Sequence, residues 1–177
     1  MVRSKMLCFT SLAAAALLAL PAQAMVTTFA TNLSSAGETP STSMATGAAL
    51  VSFDDVAQSI DVALTFQGLA NSSPFGHIHC CTASAGTGNA SVALALATLP
   101  QSISGSYNDT FTPANFSTIL SGALAGQAYV NIHTPGTYGG GEIRGFLQAV
   151  PVPEPGSLAL FGAGLALLAW VGRRRAL

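Results

Sequence analysis

Residues 60–66 form the run Ile60-Asp61-Val62-Ala63-Leu64-Thr65-Phe66. The even-numbered residues of this run are all large and apolar, whereas the odd-numbered residues are small or polar. Successive side chains of a β-strand point to opposite faces, so a period of two predicts a strand with one buried face. The even-numbered side chains are therefore expected in the core.

Similar short runs, rich in β-branched and aromatic residues, recur between clusters of Gly, Pro, Asn and Ser. Strands are predicted at residues 26–33, 48–53, 59–66, 76–79, 91–97, 127–133 and 141–150. One or two helical turns are expected after Thr112 and Pro113, a favourable N-cap and N1 pair. The pattern predicts an all-β fold, either a small antiparallel β-sandwich or a barrel.

The fixed charges are distributed unevenly along the 177 residues. Five of the six cationic side chains lie near the ends, at Arg3, Lys5, Arg173, Arg174 and Arg175. The middle of the chain has Arg144 as its single fixed cation, against six acidic side chains. Nucleic acids and anionic lipid headgroups require clustered Lys and Arg, so they are not expected as partners. No glycine-rich phosphate-binding motif is present, which argues against a nucleotide-binding α/β domain.

Residues 1–24 have the three parts of a cleavable secretion signal. Residues 1–5 are basic and residues 6–20 are apolar. The run Pro21-Ala22-Gln23-Ala24 then supplies a helix breaker and small residues at positions −3 and −1. We expect a signal helix that engages the secretion machinery and is removed after Ala24.

Residues 151–177 form a tail with a stiff spacer, an apolar helix and a basic end. The prolines of the spacer exclude helical backbone there. Residues 157–172 are predicted to form a transmembrane helix of about 24 Å, shorter than the ~30 Å hydrocarbon core, which suits a transient stop. The arginines at 173–175 place the C-terminus in the cytoplasm and the β domain, residues 25–150, on the other side.

The three histidines of the chain fall in two strand-like motifs, Gly76-His77-Ile78-His79 and Tyr129-Val130-Asn131-Ile132-His133-Thr134. In extended backbone His77 and His79 share one face, opposite Ile78, and Cα atoms two apart lie about 6.5 Å from each other. In the second motif Val130 and Ile132 are expected to point inward, and Asn131 and His133 to the opposite face. His133 completes a three-histidine set if its strand is the neighbour. Such a set, with an open position, suits copper or zinc, and also iron. The alternative is that the histidines donate structural hydrogen bonds.

Glu142 and Arg144 lie on one face of a predicted strand, with Ile143 on the other. Since Arg144 is the one fixed cation of the β domain, it is expected to be held by a carboxylate, and Glu142 is a candidate partner. The pair is predicted to be structural, and the functional alternative is that Arg144 binds an anion or a polysaccharide carboxylate.

Cys80 and Cys81 are the cysteines that remain after signal removal. They are candidates for a disulfide in an oxidising compartment, although adjacent Cα atoms lie about 3.8 Å apart, below the usual window for a bridge. Free thiols or bonds to a second chain are the alternatives. Soft sulfur beside His79 favours copper among the candidate metals.

The tail resembles the PEP-CTERM sorting signal of Gram-negative bacteria that make exopolysaccharide. The resemblance depends on Pro153-Glu154-Pro155, a hydrophobic helix and the cluster Arg173-Arg174-Arg175, in that order. It implies processing near the motif by an exosortase. The protein would be held on the periplasmic side of the inner membrane first, and reach the cell surface or the medium afterwards.

Residues from about 30 to 148 resemble the CHRD domain, the module named after chordin. The matching motifs are Gly37-Glu38-Thr39-Pro40, Phe66-Gln67-Gly68-Leu69, the two histidine motifs and Gly140-Gly141-Glu142-Ile143-Arg144-Gly145. CHRD domains have no established enzymatic role, so the resemblance implies an architecture more than a mechanism.

The same strands are also similar to the copper half of Cu/Zn superoxide dismutases, another β-sandwich family. This similarity would align His77, His79 and His133 with copper ligands, and Arg144 with the arginine that guides anions. The bridging histidine and the zinc ligands of those enzymes are missing here. Dismutase activity is therefore not predicted. The similarity does predict a sandwich fold like that of the superoxide dismutases.

Two functions from different classes are thus expected. The first is a non-enzymatic, surface-sorted domain associated with the extracellular matrix or exopolysaccharide. The second is a redox or metal-handling protein that uses the three histidines.

Overall fold

The part of the chain that the structure describes is built mainly of strands. The computed structural model describes residues 25–38, 41–97, 99–151 and 157–175. The strands are β1 (Val26–Leu33), β2 (Thr46–Asp54), β3 (Ser59–Gln67), β4 (Phe75–His79), β5 (Val92–Leu96), β6 (Gly105–Phe111), β7 (Tyr129–Thr134), β8 (Tyr138–Phe146) and β9 (Gln148–Ala149). Two helices, α1 (Phe116–Leu124) and α2 (Ser157–Arg175), and a 3₁₀ turn (Ser35–Gly37) complete the elements. The expected signal helix in residues 1–24 lies outside the described residues.

The strands form two antiparallel sheets. The first has the order β6-β3-β2-β1-β9 and the second the order β5-β4-β7-β8. Every strand pairing within them is antiparallel. The predicted all-β antiparallel sandwich is therefore confirmed.

One apolar core lies between the sheets and contains side chains from both. The alternation predicted for residues 60–66 is confirmed, because the four even-numbered side chains are at most 3% exposed. The second sheet contributes the buried side chains Ile78, Val130, Ile132 and Ile143. Burying each such side chain stabilises the fold by about 1.5–3 kcal/mol. Because these residues point inward, their strand neighbours are left on the outer face of the second sheet.

The observed elements differ from the expectations at three places. Strand β6 was not predicted, and the strand expected at 141–150 is divided into β8 and β9. The expected N-cap and N1 pair, Thr112 and Pro113, was also wrong. Helix α1 has Asn115 at its N-cap, and the Pro113 carbonyl accepts a hydrogen bond from the Phe116 N–H at 3.1 Å.

The two sheets are connected at one edge by backbone hydrogen bonds between Ser34 and Arg144, at 3.0 and 3.1 Å. Gly145 is required at this crossing, because a Cβ there would collide with the Thr31 hydroxyl and the Asn32 carbonyl. The close approach holds β8 against β1 and fixes the backbone that carries Arg144.

The tail is helical as predicted, over Ser157–Arg175. In the described residues we find no helix whose length and hydropathy together meet the requirements for crossing a membrane. Arg174 lies over the Trp170 ring, with its guanidinium carbon 4.0 Å from the ring centre. The spacer residues Pro153, Glu154 and Pro155 lie outside the described residues.

Candidate metal centre

The two histidine motifs lie on neighbouring strands. Strand β4 pairs with β7 in a register that places Phe75 opposite His133 and His77 opposite Asn131. One ring nitrogen from each of His77, His79 and His133 lies within 4.8 Å of the corresponding nitrogens of the other two. The structure thus brings together all three histidines that the sequence singled out, and we call them the histidine cluster.

Backbone carbonyl groups orient two of the rings. His79 Nδ1 lies 2.9 Å from the Ala90 carbonyl oxygen, and His133 Nδ1 lies 3.1 Å from that of Gly139. A carbonyl oxygen only accepts, so each Nδ1 carries the proton and each Nε2 carries a lone pair, which is unpartnered at His79 and accepts from His77 Nδ1 at His133. Metal-binding histidines usually donate their other ring N–H to a carbonyl or carboxylate oxygen in the same way.

The remaining nitrogens point toward one another. His77 Nδ1 lies 3.2 Å from His133 Nε2. His79 Nε2 is buried and has no hydrogen-bond partner among the described residues. Two nitrogens bound to one ion at 2.0–2.1 Å can be at most about 4.2 Å apart, so an ion would draw the cluster slightly together.

The imidazole rings of His79 and His133 are each stacked on an aromatic side chain. The Phe75 ring stacks on His133, with centres 4.7 Å apart, and the Tyr129 ring stacks on His79 at 4.8 Å. Both pairs are within 3° of parallel. The stacking leaves these imidazoles little freedom to rotate away from the cluster.

Burial keeps the histidine cluster neutral. The pKa of His133 is lowered to about 4, first by desolvation and also by the nearby His77, His79 and Arg144. Desolvation also lowers the pKa of His77 and that of His79. Neutral imidazole is the form that binds a metal ion, so the cluster is ready to bind at neutral pH.

Arg144 is held by Glu38, so the expected pairing with Glu142 was wrong. Its Nε donates to Glu38 Oε1 at 2.5 Å and its Nη2 to Oε2 at 2.7 Å. Its Nη1 donates to the Gly88 carbonyl and to Asn89 Oδ1, and the guanidinium lies 4.5 Å from the Tyr129 ring centre. Burial lowers the pKa of Arg144, but the Glu38 hydrogen bond and charge outweigh it and raise the pKa.

These contacts make Arg144 a structural clamp. The segment that contains Gly88 and Asn89 continues directly to Ala90, whose carbonyl orients His79. Arg144 therefore supports the histidine cluster indirectly, and four of its five N–H groups are already used. The expectation that it binds an anion or a polysaccharide carboxylate stays a prediction.

Glu142 is fully buried and bonded to three other groups. Its Oε1 accepts from the Ser43 hydroxyl at 2.6 Å and from the Ala70 N–H at 2.9 Å. Its Oε2 accepts from the Thr134 hydroxyl at 2.5 Å. Glu142 thus connects β8 to the segments before β2 and after β3, and it takes no part in the histidine cluster.

Cys80 and Cys81 follow His79 directly. Their sulfur atoms are paired as in a vicinal disulfide, and they lie 3.6 and 3.7 Å from the Thr118 carbonyl of α1. That this bond forms in an oxidising compartment stays a prediction. In the described residues neither cysteine belongs to the group of side chains that could share a metal ion, so sulfur gives no support for copper.

Sequence reasoning missed Glu38, Tyr129 and Asn131 as parts of this region. Glu38 was noted only within a motif, 106 residues from the arginine it holds. Asn131 was expected on the outer face beside His133, and this place in the alternation could have assigned it to the site. Its buried Oδ1 has no hydrogen-bond partner among the described residues, which the sequence alone could not reveal.

Comparison with known families gives two matches. Residues 29–147 match the CHRD domain, and residues 151–175 match the PEP-CTERM protein-sorting motif. The sorting motif marks an exported protein that is sorted to the cell surface, and it implies processing by an exosortase. No curated protein and no solved structure shows significant similarity to the chain. The CHRD match covers most of the chain, and the protein therefore belongs to the CHRD domain family.

Proposed function

We propose that this exported protein binds one copper ion through His77, His79 and His133. Copper is named because a given nitrogen site binds Cu²⁺ more tightly than Zn²⁺, and zinc is the alternative occupant. The role is metal binding or metal handling, with no enzymatic reaction assigned.

The observation that carries the proposal is the buried, unpartnered Nε2 of His79. A purely structural histidine would use both ring nitrogens or expose one of them to water, because an unpaired buried polar atom costs about 1–3 kcal/mol. His79 uses Nδ1 for the Ala90 carbonyl and keeps Nε2 unpartnered, and one nitrogen of its ring lies within 4.8 Å of a ring nitrogen of each of the other two histidines. A metal ion would satisfy all three nitrogens at once.

The composition of the cluster supports copper or zinc over harder ions. In the described residues the group that could share an ion contains three histidines and no carboxylate. Calcium and magnesium prefer oxygen ligands, whereas imidazole suits copper and zinc. Because the three ligands are neutral, the bound ion would keep its full positive charge.

The sorting tail supports a proposal about location. Residues 157–172 would hold the protein on the periplasmic side of the inner membrane until processing, and the β domain would then reach the surface or the medium. Association with the extracellular matrix or exopolysaccharide is part of this proposal, and binding to purified exopolysaccharide would test it. A domain that remains unbound at saturating polysaccharide would contradict the association.

Metal analysis of the purified exported protein tests the copper site. After chelator treatment and reloading, we expect about one copper per chain. Replacing His77, His79 or His133 by Ala should weaken copper binding at least about tenfold, equivalent to ~1.4 kcal/mol. Asn108→Ala, on β6 of the other sheet, is the matched control and should bind copper normally. Unchanged affinity in all three histidine variants would contradict the proposal.

A further inference from the structure

A pocket of about 510 Å³ lies beside the histidine cluster. Its lining includes His79, Tyr129, Asn131 and the ion pair of Arg144 with Glu38. Because His79 belongs both to the cluster and to the pocket wall, a ligand in the pocket would lie next to an ion held by the cluster.

Asn131 has an unusual environment in this wall. Its side chain is 1% exposed, and its Oδ1 has no hydrogen-bond partner among the described residues. It lies directly opposite His77 across the β4–β7 pairing, and two residues from His133 on the same face of β7. Side chains at such positions are close neighbours, with Cβ atoms of opposite residues about 4.5–5.5 Å apart.

Most other polar groups of the pocket wall are already in use. The Arg144 guanidinium bonds Glu38, Gly88 and Asn89, and both Glu38 oxygens accept from it. His79 Nδ1 bonds the Ala90 carbonyl. Among the described residues that line the pocket, two buried side-chain atoms have no hydrogen-bond partner, His79 Nε2 and Asn131 Oδ1. In the proposed function His79 Nε2 binds the metal ion. Asn131 Oδ1 is then the atom that still lacks a hydrogen-bond donor.

We propose that Asn131 Oδ1 accepts a hydrogen bond from a small protic oxygen ligand at the fourth coordination position of the metal. This inference rests on the proposed function, because three histidines leave one position open and a water molecule usually fills it. The ligand class is defined by its O–H group: water in the resting state, or another small hydroxylic molecule that replaces it. An anion without a proton, such as azide, gains nothing from Asn131 Oδ1.

The fixed charges of the wall add no attraction for an anion beyond that of the metal ion itself. Arg144 is the fixed cation of the pocket and is neutralised by the two-point contact with Glu38. It has little capacity to attract an anion into the pocket. Recognition is therefore left to the metal ion and to the Asn131 carboxamide.

Azide titration of the copper-loaded exported protein tests this inference. Asn131→Leu removes the acceptor that stabilises bound water and leaves the three histidines in place. We expect azide to displace water about fivefold more easily in this variant, the size of one ordinary hydrogen bond. Copper affinity should stay within about twofold of the wild-type protein, and Asn108→Leu should match the wild type in both measurements.

Each alternative result has a defined meaning. Equal azide affinity in the wild type and Asn131→Leu, with copper bound normally, would overturn this inference and leave the proposed function standing. Loss of copper in a folded Asn131→Leu would also overturn it, because Asn131 would then be a metal ligand itself. Failure of the wild-type protein to bind copper would overturn both proposals.

A second variant covers the case in which Asn131→Leu does not fold. Asn131→Ala also removes the acceptor and keeps the three histidines, so azide should again displace water about fivefold more easily than in the wild type. Unchanged azide affinity in Asn131→Ala would overturn the inference.

Discussion

Two polar clusters lie in and beside the second sheet, and they differ in how their atoms are satisfied. In the carboxylate cluster, formed by Glu38 and Glu142 with the groups that bond them, all four carboxylate oxygens have partners. In the histidine cluster, His79 Nε2 is buried without a partner. Both clusters are largely excluded from water, so burial alone does not distinguish them.

The difference indicates which cluster stabilises the fold and which one is arranged for a ligand. A buried polar network with every member satisfied holds a structure together, whereas an unsatisfied member costs free energy unless a ligand uses it. Changes at Glu142 should therefore affect stability and leave metal binding intact, whereas changes at Arg144 can also reach His79 through Ala90. Changes in the histidine cluster should weaken metal binding and alter stability little at neutral pH.

The largest effect is expected for Glu142→Ala. The substitution leaves the Ser43 and Thr134 hydroxyls and the Ala70 N–H without their acceptor, at about 1–3 kcal/mol each, so the free energy of unfolding should fall by about 5 kcal/mol. Urea denaturation of the metal-free protein measures it. Glu142→Gln keeps one oxygen and the side-chain shape, and should lose clearly less. A loss below about 1 kcal/mol for Glu142→Ala would show that the cluster is not structural.

Arg144→Leu should lower the free energy of unfolding by about 4 kcal/mol, because it leaves the buried Glu38 carboxylate unpaired. The double variant Arg144→Leu with Glu38→Leu should recover part of this loss, since it removes the unpaired charge as well. Copper affinity in the double variant tests whether the Arg144 clamp also positions Ala90. If the double variant lost as much unfolding free energy as the two single variants together, the result would contradict a buried ion pair.

Acid should destabilise the metal-free protein through the histidine cluster. The pKa of His133 is about 4 in the folded chain, against an ordinary value of 6.5, so the unfolded chain binds more protons between these pH values. The free energy of unfolding should therefore fall as the pH drops from 6.5 to 4, by roughly 3 kcal/mol. His133→Gln should show a flatter profile over the same range, whereas equal slopes would contradict the shifted pKa.

The smallest effect is expected for Gly122→Ala, which tests whether the sulfur pair belongs with the structural region. A Cβ at Gly122 would collide with the sulfur atoms of Cys80 and Cys81, so α1 must shift and the unfolding free energy should fall by about 2 kcal/mol. Ser121→Ala, at the preceding exposed position, should change it by less than about 0.5 kcal/mol. If Gly122→Ala lowered copper affinity as well as stability, the sulfur pair would belong with the metal site instead.

The sequence predicted the strands that carry an apolar alternation and missed the strand that lacks one. Residues 60–66 alternate clearly and β3 was predicted. Strand β6 lies at a sheet edge and buries Tyr107 alone, so its polar sequence gives no period of two. Gly139 and Gly140 similarly concealed the start of β8, because glycine carries no side chain from which a face could be predicted.

The candidate site was predictable within each strand and not between strands. Alternation placed His77 with His79 and placed His133 on the outer face, and the β4–β7 register then brought these residues together. The Glu38 partner of Arg144 depends on a fold over 106 residues, which no local pattern contains. The expectation that Arg144 pairs with Glu142, the carboxylate nearer in sequence, was therefore wrong.

The most direct test of the copper site is electron paramagnetic resonance of the exported protein loaded with one Cu²⁺. The nitrogen couplings should report three imidazoles, and each substitution of His77, His79 or His133 should remove one of them. The Glu142→Gln variant should keep all three. A signal without imidazole nitrogen, or one that is unchanged in the three histidine variants, would contradict a metal centre at the histidine cluster.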